Sequence, residues 1–175
     1  MSRDIWVSSD FHFQQSNILK FKDADGKLIR GGKFSDAEEM DEHMIDQHNK
    51  MVKQGDIFYC LGDVFFGDKD KFKKLWPRLN GKKRLIVGNH DDIIFLSSGG
   101  FFSKVQESRT WREFGLIMTH RPAEPSQMWD HKQDLPLMSI HGHIHQNKSP
   151  EGLYKNMSME AIDYTPMNIE DLRIR

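Results

Sequence analysis

Five short segments of this chain carry side chains that could bind a metal. They are Asp10-Phe11-His12, Gly62-Asp63, Gly88-Asn89-His90-Asp91, His120, and His141-Gly142-His143-Ile144-His145. Carboxylate, imidazole and amide oxygen form a mixed hard and borderline ligand set. It suits manganese, iron, zinc, cobalt or nickel better than calcium. Each segment alone has an ordinary reading. Asp-x-His can cap a turn, Gly-Asp is a common turn, and Gly-Asn-His-Asp fits an Asx-turn leading into a helix. The histidine run is less ordinary, because residues two apart on an extended chain point to one side. Together and in this order, the five favour a metal site over five unrelated turns.

The elements that must position these residues can be read from the apolar pattern. Residues 5–9, 57–61, 85–87, 115–119 and 137–140 are short apolar runs of strand type, and each ends at one of the five segments. Further strands are expected over 104–111 and 153–159. Ser35 and Glu38 have capping-box spacing, with Ser35 as the cap. Behind them Ala37, Met40, Met44, His48 and Met51 recur at helical spacing, predicting a helix to about Lys53. A second helix is expected over 68–76, stopped by Pro77, and a third near Asp91. The tail, 168–175, reads as a short helical or extended piece. Strands alternating with helices predict an α/β fold with a mostly parallel sheet, in which ligands bind beyond the carboxyl ends of the strands.

Length and composition narrow the class. The 175 residues are 37% hydrophobic and 29% charged, with a formal net charge of -1. That fits a single domain over 1–175 with a core of its own, and argues against binding nucleic acid by bulk charge. Lys69, Lys71, Lys73 and Lys74, and Lys82, Lys83 and Arg84, read as solvated surface. The lone cysteine, Cys60, sits in an apolar run as a small core residue and allows no intrachain disulfide. No stretch reaches membrane-spanning length and the first residues lack a signal-peptide pattern. A cytoplasmic protein without a membrane partner is expected. His43, His48 and His131 belong to no motif and read as structural.

The ordered set Asp-x-His, Gly-Asp, Gly-Asn-His-Asp, His and Gly-His-x-His resembles the calcineurin-like metallophosphoesterases. The likeness runs from Trp6 to His145. It is strongest to the compact bacterial and phage enzymes, through Ser9-Asp10-Phe11-His12-Phe13, Asn17-Ile18 and Glu38-Glu39-Met40-Asp41.

The resemblance implies a four-layer αββα sandwich of two mixed sheets flanked by helices. It implies two divalent ions, manganese foremost. Asp10, His12, Asp63 and His145 would hold one, and Asp63, Asn89, His120 and His143 the other, with Asp63 bridging. A hydroxide formed between the ions would attack phosphorus in line. Two ions of about +4, offset by about -3 from Asp10, Asp63 and hydroxide, leave a site suited to a phosphate oxyanion. His90 would be the general acid, oriented by Asp91, whose carboxylate would raise its pKa and fix its tautomer.

The implied substrate is a phosphomonoester or phosphodiester of nucleotide type. Action on DNA or RNA ends is the alternative, and a non-catalytic scaffold the alternative of another class. Arg121 is a candidate phosphate contact, Trp129 a candidate stacking surface for a base, and His141 a supporting or packing residue. Gln14-Gln15 stand where close relatives often have Gly-His, which bears on substrate contacts.

Overall fold

A computed structural model of the chain describes residues 3–175. In chain order the elements are β1 (Ile5–Ser8), α1 (Ala37–Met51), β2 (Ile57–Cys60), α2 (Lys69–Leu75), β3 (Lys82–Ile86), α3 (Ile93–Ser98), β4 (Val105–Gln106), β5 (Ser108–Trp111), β6 (Leu116–Thr119), β7 (Trp129–Asp130), β8 (Leu135–Pro136), β9 (Met138–His141), β10 (Tyr154–Asn156) and β11 (Met167–Asn168). Two mixed sheets result. The first has the order β11-β1-β2-β3-β4 and the second β10-β9-β6-β5, while β7 and β8 form a separate hairpin. In the first sheet only β11 runs antiparallel, and in the second only β5 does.

Side chains alternate across each strand, and this sets the layers. Phe58, Cys60 and Leu85 face outward from the first sheet into a core with Met40, Met44 and Ile45 of α1, Phe72 of α2 and Leu96 of α3. Val7, Tyr59, Leu61 and Ile86 face inward and meet Leu116, Met118, Ile140 and Met157 of the second sheet. The outer face of the second sheet buries Ile117 against Ala123, Leu137 and Met128. There the cover is the 122–137 segment. The named α-helices all lie between β1 and β4 in sequence, so the layer over the second sheet is loop, the β7–β8 hairpin and a single 3-10 turn at Pro125–Gln127.

Two expectations shift. The α1 cap is Asp36, which accepts the Glu39 N–H at 2.8 Å. Glu39 reaches back to the N–H and hydroxyl of Ser35, both at 2.7 Å, so the cap lies one residue later than expected and Ser35 is held by the Glu39 carboxylate instead. Aspartate and serine both cap well, and only tertiary docking fixes which one starts the helix. The single strand expected over 104–111 is divided at Glu107 between β4, on the first sheet, and β5, on the second. Local pattern carries no information on which sheet each half joins.

His48 is an apolar-layer residue, as expected. It is fully buried, packs edge-on against Phe58 at 4.5 Å, and its Nε2 meets the Asn80 carbonyl at 3.0 Å. Cys60 is buried too, and burial pushes its thiol pKa well up. Among the described residues no helix is long and apolar enough to cross a membrane.

Candidate metal centre

The strands β1, β2 and β3 are parallel, so their carboxyl ends share one edge, and the loops that follow them meet there. Asp10 N–H donates to Gly62 O at 3.0 Å, His12 N–H to Asp63 O at 3.1 Å, and Gly142 N–H to His120 O at 2.8 Å. The close approach needs glycine at Gly88, where a Cβ would strike the Asp63 carboxylate and backbone.

Six of the predicted ligands fall into two groups. Asp10, His12 and His145 place their donor atoms within 4.8 Å of one another, and so do Asp63, His120 and His143. Asp63 lies between them. Its Oδ2 is 3.8 Å from His12 Nε2 and 3.4 Å from His120 Nε2. The seventh residue, Asn89, brings Oδ1 to 3.1 Å from His120 Nε2.

Five of these residues, Asp10, His12, Asp63, His143 and His145, hold positive φ between 51° and 71°. For residues other than glycine this costs on the order of 1–3 kcal/mol each, and such positions cluster at functional sites. The strain aims side chains at one point that regular strand ends would direct apart.

The donor set fits a cation. His12 Nδ1 faces the Gln15 amide oxygen at 2.6 Å, so it carries the proton and leaves Nε2 bare. That Nε2 is buried without a hydrogen-bond partner, as is Asp10 Oδ1, 3.7 Å away. His120 Nδ1 donates likewise to Leu61 O at 2.7 Å, turning its Nε2 lone pair towards Asn89 Oδ1 and Asp63 Oδ2. Lone pairs facing lone pairs in a buried site need a proton or a metal ion between them.

The electrostatics agree. Burial would raise the Asp10 carboxyl, but the neighbouring imidazoles of His12, His120 and His145 hold it below the usual carboxylate range. Asp63 is lowered, against its burial, chiefly by His120. Burial opposes charge on His120 and His145, yet Asp63 and Glu160 respectively raise them. Burial, then His120 and Arg121, lowers His143.

His90 sits exposed at the rim, its N–H given to Asp63 Oδ1 at 3.0 Å and its ring 5.0 Å from that of Phe66. The Asp91 carboxylate does not reach that ring. It accepts the N–H groups of Gly88 at 2.7 Å, Val64 at 2.9 Å and Asp63 at 3.2 Å, and so braces two ligand loops together. Three backbone donors in a tight turn outcompete a side chain that projects outward. Phe66, stacked on His12 at 5.0 Å and 5°, is the ring beside His90 instead.

Arg121 lines a cleft of about 400 Å³ with Asn89, His120, Thr119, Glu107 and Glu124. Trp129 lies on the β7–β8 hairpin with its indole N–H given to Asp134 at 3.2 Å, and does not line that cleft. His141 is buried behind the site, its Nε2 3.0 Å from Ser149 Oγ.

The family model for calcineurin-like phosphoesterases matches residues 3–147. The chain belongs to this family. It is 30% identical to an uncharacterized protein of Methanocaldococcus jannaschii over 178 aligned residues, 96% of this chain and 88% of that protein. It is 29% identical to the gene 66 protein of Mycobacterium phage D29 over 91 residues, half of this chain and 40% of that one. A protein of unknown function from Aquifex aeolicus has the same fold, with a TM-score of 0.72 at 23% identity over 98% of both chains. As a calcineurin-like phosphoesterase with two ligand groups, the protein is a metal-dependent hydrolase of phosphoesters.

Several supporting residues carry no motif. Gln15 holds His12, and Gln14 braces the loop, its N–H on Asp41 and its amide on Asp68. The Gln14-Gln15 pair therefore serves the first ligand loop. Ser158 Oγ–H donates to Asp10 Oδ2 at 3.0 Å. Arg30 and Glu160 lie behind Asp10 and His145. Burial of a charged side chain in a loop leaves no trace in local pattern, so sequence reasoning missed both.

Proposed function

We propose that this protein, acting as one domain over residues 1–175, hydrolyses a small phosphomonoester or phosphodiester of nucleotide type with two divalent ions, manganese foremost. The placement of Asp63 Oδ2 between His12 Nε2 and His120 Nε2 carries the reading, because one carboxylate then serves both ligand groups. Asp10, His12 and His145 would hold one ion; Asn89, His120 and His143 would hold the other; Asp63 would bridge. Such ions acidify water and polarise a phosphoryl oxygen.

The chain's own groups supply the rest. Among the described residues the His90 ring makes no hydrogen bond; it sits exposed at the rim and is assigned to protonate the departing oxygen. Asp91 acts through the loops it braces. Arg121 opens into the cleft beside Asn89 and offers a fork to a phosphate oxygen. The size of the cleft favours a small ester over a strand. Lys69 and Lys73, two members of the lysine run, are paired with Asp92 at 2.6 Å and Asp70 at 2.8 Å rather than left as free cations for a nucleic-acid backbone. A lone buried thiol supports a reducing, cytoplasmic setting.

The test is hydrolysis of p-nitrophenyl phosphate and bis-p-nitrophenyl phosphate by metal-stripped protein with added manganese. His90→Ala should lower kcat by about 100- to 10,000-fold, the range for a lost general acid, while both ions still bind. Asp63→Asn should lose both turnover and paired binding. Metal-independent turnover, or full activity in Asp63→Asn, would end the two-metal reading.

A further inference from the structure

Arg30 is 1% exposed, and its ion pair with Glu160 has side chains 0% and 4% exposed. One guanidinium makes five directed contacts. Its Nε–H donates to Glu160 Oε1 at 2.7 Å, one terminal nitrogen to Phe11 O at 2.8 Å, and the other to Asp10 O at 2.5 Å. The terminal nitrogen on Phe11 O also touches Met40 Sδ at 3.6 Å and Met44 Sδ at 4.0 Å. Glu160 Oε1 also meets His145 Nδ1 at 3.0 Å. The pair thus ties the backbone of the first ligand loop to the ring of the last ligand histidine. Asp10 and His145 are themselves held at φ 59° and 51°, where the chain does not rest by itself.

An apolar pair of similar volume would fill this space without the cost of desolvating two charges. What the ion pair adds is direction. A carboxylate on Nδ1–H leaves Nε2 as the outward lone pair, fixes the ring and raises its basicity towards a metal. The other ligand histidines have weaker backing. His12 leans on the amide of Gln15 and His120 on the carbonyl of Leu61. Among the described residues, His145 alone of the ligand histidines has its ring backed by a carboxylate from outside the two ligand groups.

We propose that Arg30 and Glu160 are positioning residues that make the two metal positions unequal, the one held by Asp10, His12 and His145 binding more tightly than its neighbour. This rests on the metal-centre reading above.

The test is a manganese titration of the metal-stripped full chain by calorimetry, with thermal unfolding to confirm the fold. Wild type should show two unequal steps. Glu160→Gln, which keeps size and an acceptor but removes the charge, should weaken the tighter step by about 10- to 100-fold and leave the other unchanged. The double variant Arg30→Met, Glu160→Leu leaves no unpaired charge and should show at least the same loss. His145→Ala marks which step belongs to the Asp10 position, and adding Glu160→Gln to it should cause little further loss. Unchanged binding in folded Glu160→Gln and in the double variant would overturn the proposal. So would equal weakening of both steps, or a full additional loss on top of His145→Ala. Failure of the hydrolase reading shows separately, as a wild type that binds two ions and cleaves neither ester.

Discussion

Replacing Gly142 by alanine tests how tightly the two sheets hold the site. Gly142 follows the last residue of β9 and precedes His143. A Cβ there would fall inside the radii of Ser9 Oγ and Asp10 Oδ2, and 2.7 Å from Ser9 Cβ. Neither neighbour can yield cheaply. Ser9 is fully buried, with its N–H on Met157 O at 2.9 Å. Asp10 Oδ2 accepts the His143 N–H at 2.9 Å and the Ser158 hydroxyl at 3.0 Å. The methyl must therefore wedge the loop after β9 away from the loop after β1. Overpacking of this kind costs about 1–3 kcal/mol. At about 2–4 °C per kcal/mol for a chain of this size, Tm of the metal-free protein should fall by about 2–12 °C. The same shift moves the Asp10 carboxylate off His12 and His145, so manganese affinity should fall with stability. Scanning calorimetry followed by metal titration reads both. Gly55→Ala is the control, since a Cβ there meets nothing within 4 Å; it should stay within about 0.5 kcal/mol of wild type. A Gly142→Ala protein that melts and binds metal like wild type would refute the reasoning, as would an equal loss in Gly55→Ala.

Two further predictions concern stability. Burial holds the His48 pKa at about 4 against 6.5, so the folded state refuses a proton that the unfolded state accepts. Stability is full above pH 6.5 and falls as pH drops towards 4, by about 3 kcal/mol in all at about 1.4 kcal/mol per unit. Urea unfolding of His48→Met should lack that part of the slope, and an unchanged slope would count against the assignment. Asp36→Ala removes the cap of α1 and should cost about 1 kcal/mol; a loss at Ser35→Ala as large as at Asp36→Ala would favour the cap first read from the sequence.

The ligand types, their order and their position after strand-like runs were legible because apolar periodicity and turn chemistry are local. So were α1, the buried thiol and the family resemblance carried by the five segments. What the sequence could not show was pairing. Nothing local says that 104–111 divides between two sheets, or that the second sheet is covered by loop.

The same holds at the site. Asp91 follows His90 and reads as its partner, but the fold turns its carboxylate onto three backbone N–H groups of two loops. Arg30 and Glu160 are 130 positions apart and meet at 2.7 Å only because the first ligand loop and the segment after β10 share one buried edge. The sequence by itself determined which atoms could bind metal. The tertiary structure decided how they are grouped, which tautomers they hold and what braces them, because those depend on contacts between segments distant in the chain.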